Sequence, residues 1–205
     1  MRSVLAVGLG TALVAGCASG PAPRSGFLGD YAGLERVGRS DSLLEQRPPA
    51  GFRVADYRAV MIEPAEIGLD TLSEDDRTGL AAAFREALIE RLGGALPLVD
   101  RAAPGVLRVR TAIVGARKAN VPVNVVTSLL AVPLSRGGVA AEAEVLDGGT
   151  GRRIAALSWS RRGAKLTQPG LSYTRLGEAR AGLRAFAKRL ADLFAPVPGK
   201  DPQRR

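Results

Sequence analysis

The chain has no histidine and one cysteine, Cys17, among 205 residues. Without an imidazole it cannot build Ser-His-Asp or Cys-His catalytic sets, zinc sites of the Cys/His type, or a histidine pH switch. A lone cysteine also cannot close an intramolecular disulfide, so the fold must be held by its core. Aromatic residues are scarce, at 4%. Long apolar runs are absent too: the longest near the start, Val4 to Ala15, is too short for a bilayer span of about 20 residues.

That short run has a different meaning. Arg2, the apolar stretch and the small residues before Cys17 have the layout of a secretory signal. Val14-Ala15-Gly16-Cys17 resembles a bacterial lipobox, which implies removal of residues 1–16 and acylation of Cys17. Two or more acyl chains anchor a protein stably where one holds it only marginally. Ala18 and Ser19 follow the cysteine in place of an aspartate. By resemblance to lipoprotein sorting rules, this favours the outer membrane over inner-membrane retention; the rule does not fix the leaflet, and the periplasmic side is the expected one.

The formal charge is +9, falling to +8 once Arg2 leaves with the signal. Such a surplus suits anionic partners. Outside the cytoplasm these are lipid head groups, envelope glycans or envelope proteins rather than nucleic acid. Arginine-rich coding bias explains the same surplus without any partner.

The segments divide into a signal (1–16), a lipidated tether (17–25), one α+β domain (26–195) and a frayed tail (196–205). Phe27, Tyr31 and Leu34 recur at helical spacing and form one apolar stripe. It either packs on the core or docks a partner. Ser40 to Phe52, with Pro48, Pro49 and Gly51, reads as an irregular connection. Tyr57 to Glu63 reads as a strand stopped by Pro64. Ser73 caps a helix with Glu74, Asp75 and Asp76 in its first turn, Leu80, Phe84, Leu88 and Leu92 along one stripe, and Gly93-Gly94 at its end. Leu96 to Asp100 and Val106 to Lys118 read as strands.

Val139 to Asp147 alternates cleanly, with Val139, Ala141, Ala143 and Val145 on one face and Glu142 and Glu144 on the other. Asp147 to Gly151 is a turn, and Ile154 to Arg162 is the returning strand. A second helix is expected over about Tyr173–Phe194, stopped by Pro196. Strands with one polar face need helices on the other face only. The expected fold is therefore a two-layer α+β sandwich, a mostly antiparallel sheet of four to five strands with two long helices on one face.

Three stretches together resemble a family of proteobacterial lipoproteins known as domain of unknown function 3313. They are Gly26-Phe27-Leu28 through Tyr31 and Leu34, Tyr57 through Pro64, and Ala140 through Asp147 followed by Thr150-Gly151. The resemblance implies an envelope lipoprotein with one compact domain. It brings no activity, cofactor or catalytic residue.

Candidate chemistry is thin. Glu142 and Glu144 lie roughly 7 Å apart along a strand, in the range of an inverting glycosidase pair. As a solvated face they would instead meet Arg108 and Arg110 across the sheet. Asp147 to Gly151 joins two strands rather than opening a helix, so it is no phosphate cradle. Arg152, Arg153, Arg161 and Arg162, at the two ends of one strand, are candidate contacts for an anionic lipid. Val121 to Leu134, apolar and bounded by Pro122 and Pro133, is either an interface or part of the core.

The expected function is a non-catalytic outer-membrane lipoprotein, an accessory or assembly subunit that meets an envelope protein through Phe27, Tyr31, Val125 and Leu129. The alternative is a binding module for an anionic envelope lipid or glycan, similar in layout to transporter auxiliary lipoproteins. A large apolar cavity favours the second and a flat apolar patch the first. No metal or cofactor is implied.

Overall fold

The computed structural model describes residues 21–39, 42–94, 96–117, 138–162 and 176–195. Strands β1 (Glu35–Arg36), β2 (Leu43–Gln46), β3 (Ala59–Ile62), β4 (Glu66–Ile67), β5 (Leu98–Val99), β6 (Val106–Arg117), β7 (Gly138–Asp147) and β8 (Arg153–Arg162) form one sheet. Helices α1 (Glu74–Leu92) and α2 (Gly177–Asp192) cover it. The strand order is β1-β2-β8-β7-β6-β3-β5, with β4 also paired to β6.

The α+β class and the two helices agree with the sequence reading, whereas the sheet is larger and mixed rather than four to five mostly antiparallel strands. β6, β7 and β8 form the expected antiparallel meander. β3 instead runs parallel to both β5 and β6, and β4 runs parallel to β6. The physical reason lies in the order strand, helix, strand: α1 serves as the long crossover that a parallel pair requires. The extra strands are short. β1 and β4 have two residues each, too few to show a period, whereas the equally short β5 falls within Leu96 to Asp100, where the sequence predicts a strand. β2 falls inside the stretch read as irregular, where Leu43 and Leu44 pair with Trp159 and Ser158.

α1 forms where expected. Ser73 accepts a hydrogen bond from the Asp76 N–H at 3.3 Å, and acidic residues occupy the positive first turn. Leu80, Phe84 and Leu88 are buried. α2 is described over Gly177–Asp192, and the expected start near Tyr173 lies outside the described residues. Its Leu183, Phe186 and Leu190 are fully buried. Both helices share one apolar core with Val109, Ile113, Val139, Ala143, Val145 and Leu157 of the sheet.

Gly182 sets how closely α2 approaches β7. A Cβ built there would overlap Val139 Cγ1, an atom on a branched side chain with little freedom to move. Helix propensity alone would favour alanine by up to about 1 kcal/mol. Overpacking costs about 1–3 kcal/mol and is expected to win. Gly182→Ala should therefore destabilise the protein in urea unfolding, and Val139→Ala should recover part of that loss. A Gly182→Ala variant more stable than the parent would show that the helix can lift at no cost.

Candidate functional site

β7 places Glu142 and Glu144 on the sheet face opposite the helices, together with its own Ala140 and with Ala112 and Arg110 of β6. The sequence reading treats this face as solvated, and the structure corrects it. Glu142 is 0% and Glu144 5% exposed. Residues 21–34 cross the face as a strap, and small alanines beneath leave room for it. Phe27 packs on Ala112, Val114 and Ala140. Leu28 and Leu34 pack on Ala156, with Tyr31 and Leu44 beside them. Pro21 to Ser25, expected in the tether, is therefore part of this layer: Ala22 is buried, and the Pro23 carbonyl accepts a hydrogen bond from Ser158 Oγ at 2.6 Å.

The strap is not the helical turn that its spacing predicts. It reverses at Gly26 and Gly29, both at positive φ (96° and 68°), with the Gly29 N–H bonded to the Gly26 carbonyl at 2.9 Å. Only glycine holds such angles without steric cost. That reversal brings Ser25 and Tyr31 to the same carboxylate. Glu142 accepts from the Ser25 N–H (3.3 Å), from Ser25 Oγ, and from the Tyr31 hydroxyl (2.9 Å). Burial pushes the Tyr31 hydroxyl above its ordinary pKa, and its bond to Glu142 adds to the rise.

Glu144 completes the clamp. It accepts from Arg110 Nη1 at 2.7 Å and from Arg153 Nε at 3.0 Å. Arg153 also donates to the Asp30 carbonyl at 2.7 Å and to the Leu28 carbonyl, so one guanidinium joins sheet and strap. The guanidinium of Arg110 stands 5.1 Å from the Phe27 ring, a cation–π contact. The cross-sheet partners are thus divided. Arg110 meets Glu144 as the alternation suggests, while Arg108 pairs with Glu63, and the donors to Glu142 among the described residues are the neutral ones of the strap named above. The bond to Glu63 raises the Arg108 pKa.

The remaining sequence candidates are dispersed. Arg153 faces inward, as described. Arg152 and Arg161 are exposed at opposite ends of β8, roughly 30 Å apart by strand rise. Cys17, Val125, Leu129 and the Arg162 side chain lie outside the described residues. Asp147 holds the β7–β8 turn as expected, accepting from the Thr150 N–H (2.8 Å), Thr150 Oγ1 (2.9 Å) and the Gly149 N–H (3.0 Å). The bonds from Thr150, ahead of one from Tyr57, lower its pKa. Among the described residues no cluster of His, Cys, Asp or Glu could hold a metal, and no helix is long and apolar enough to cross a membrane.

Two features escape the sequence reading. Leu98 and Val99 of β5, at a sheet edge, are the large apolar side chains left exposed among the described residues, at 43% and 38%. An open cleft of about 340 Å³ lies between the sheet and the C-terminal ends of the two helices. Neither Glu142 nor Glu144 lines it.

Among solved structures, the chain is similar to the PelC dodecamer from Paraburkholderia phytofirmans, at 16% identity over 76% of this chain and 98% of that one, with a TM-score of 0.47. It is also similar to a DUF4136 family protein from Bacteroides thetaiotaomicron, at 8% identity over 80% and 98% of the two chains, with a TM-score of 0.41. A DUF330 protein from Xanthomonas campestris is a third, at 11% identity over 71% and 87%, with a TM-score of 0.38. No curated protein matches the chain. The family described as Protein of unknown function (DUF3313) matches residues 23–190, spanning most of the strap, all eight strands and most of α2, and the chain belongs to that family.

Proposed function

We propose that this chain is a non-catalytic lipoprotein, held on the periplasmic side of the outer membrane by acyl chains on Cys17, that serves as an accessory or assembly subunit for an envelope protein. The observation that carries the reading is the strap. The carboxylates that resembled a catalytic pair are engaged in fixing the segment that leads back to Cys17. Cys17 is four residue steps before Pro21, a reach of at most about 14 Å. A chain mounted so closely presents its remaining surfaces at a limited height above the lipid, which suits a subunit docking on a neighbour.

The partner-facing surface in this reading is the β5 edge. Edge strands carry unpaired backbone donors and acceptors, and apolar side chains beside them favour association with another chain. Phe27 and Tyr31 are half-buried on their own sheet and offer less.

Crosslinking in intact cells, followed by mass spectrometry, tests this. One dominant envelope protein is expected, lost with Leu98→Lys and Val99→Lys while the melting temperature holds. Cys17→Ser is expected to move the protein from the membrane to the soluble fraction. Co-purification of lipid or glycan alone, or a partner indifferent to the edge substitutions, would overturn the docking reading.

A further inference from the structure

We infer that the cleft at the C-terminal ends of α1 and α2 is a binding site for a single aliphatic chain of an anionic amphiphile. This stands independently of the protein partner proposed above.

The floor of the cleft is the helix-facing side of the sheet. Val60 of β3, Leu107 and Val109 of β6 and Val145 of β7 line it, each no more than 5% exposed. Its walls are the last turns of the helices, with Leu92 on α1 and Ala191 on α2. Phe194 flanks the opening, against Phe52 at a centroid distance of 5.6 Å. The volume of about 340 Å³ is within the range of small-molecule sites.

The lining selects the ligand. Among the described residues no hydrogen-bonding side chain stands on the floor, so a sugar or a peptide would bury hydroxyls or amides without partners there. An aliphatic chain has none to satisfy, and it would take out of water its own methylenes and the partly exposed Leu92, Ala191 and Phe194 around it.

The head group is set at the rim. Among the described residues, Arg91 is the only charged one lining the cleft. Its ion partner is its own neighbour Glu90, at 3.3 Å and well exposed, a pairing that holds it weakly. The guanidinium can therefore turn to a carboxylate or phosphate at the mouth while its stem covers the chain below. The same chemistry belongs to a free fatty acid and to a lysophospholipid.

The test uses the full chain carrying Cys17→Ser, extracted without detergent, and equilibrium dialysis of radiolabelled probes. Dodecanoate should bind saturably, one per chain, and more tightly than dodecanol or dodecyltrimethylammonium. Arg91→Glu should weaken dodecanoate by about three- to tenfold while leaving dodecanol unchanged. Ala191→Trp, at a half-exposed wall position, should abolish binding of both with the circular dichroism spectrum retained. A twelve-carbon lysophosphatidylglycerol probe then separates the sources: tighter binding than dodecanoate assigns the site to a phospholipid, and weaker binding to a free fatty acid. Absence of saturable binding, binding indifferent to Ala191→Trp in a folded variant, or tighter binding of the cationic probe would overturn the inference.

Discussion

Phe186→Ala is expected to lower the unfolding free energy by about 4 kcal/mol. Phe186 is fully buried at the centre of the helical layer, edge-on to Phe84 (5.6 Å, 81°) and stacked near Trp159 (6.3 Å, 25°). Truncation removes the ring's transfer free energy, leaves a cavity between α1, α2 and β8, and loses two ring contacts worth about 0.5–1.5 kcal/mol each. Domains of this size are stable by only about 5–15 kcal/mol, so the loss is a large share of the total. Trp159 is the only tryptophan, and its fluorescence in a urea titration reports on this contact directly. Phe52 is half-buried at the perimeter beside Tyr57 and Phe194, so Phe52→Ala should cost clearly less. Equal costs would mean that the aromatic core is not centred on Phe186.

Glu144→Ala is expected to be the next most severe change, at about 3 kcal/mol. It leaves Arg110 and Arg153 without the carboxylate that joins them; Arg110, 29% exposed, keeps Glu66 at 3.2 Å, so the penalty falls mainly on Arg153, which is 20% exposed. That partial exposure places the estimate at the lower end of the range for a broken buried pair. The consequence should be local as well as global. Arg153 would no longer be held where it meets the Leu28 and Asp30 carbonyls, so amides of residues 22–34 should exchange faster than those of β7. Glu142→Gln keeps an acceptor for Ser25 and Tyr31 and should be milder. Uniform loss of protection in Glu144→Ala would show that strap and sheet open as one unit and that no separate clamp exists.

The strap illustrates where reading from sequence stops. Alternation over Val139 to Asp147 correctly assigned Glu142 and Glu144 to a common face, because side chains in a strand point to opposite sides in turn. It could not say what lies over that face. Two carboxylates on an exposed strand and two carboxylates beneath a strap have the same local sequence. The difference is made by Ser25 and Tyr31, 117 and 111 residues away along the chain, together with Arg153 on the returning strand. A faint signal was present in Ala112, Ala140 and Ala156, side chains small enough to admit another layer. The glycines at 26 and 29 are a second, since they permit the reversal that brings Ser25 and Tyr31 together.

Sequence alone determined the absence of imidazole chemistry, the capped α1 with its apolar stripe, the long strands with their faces, and the Asp147 turn. Each depends on the periodicity or hydrogen bonding of neighbouring residues, so local order is enough. Tertiary structure alone decided the parallel pairing of β3, the inclusion of the two-residue strands β1 and β4, the burial of the charged face and the apolar cleft at the helix ends. These depend on which distant segments meet, and a two-residue strand or a gap between layers has no period of its own to be read.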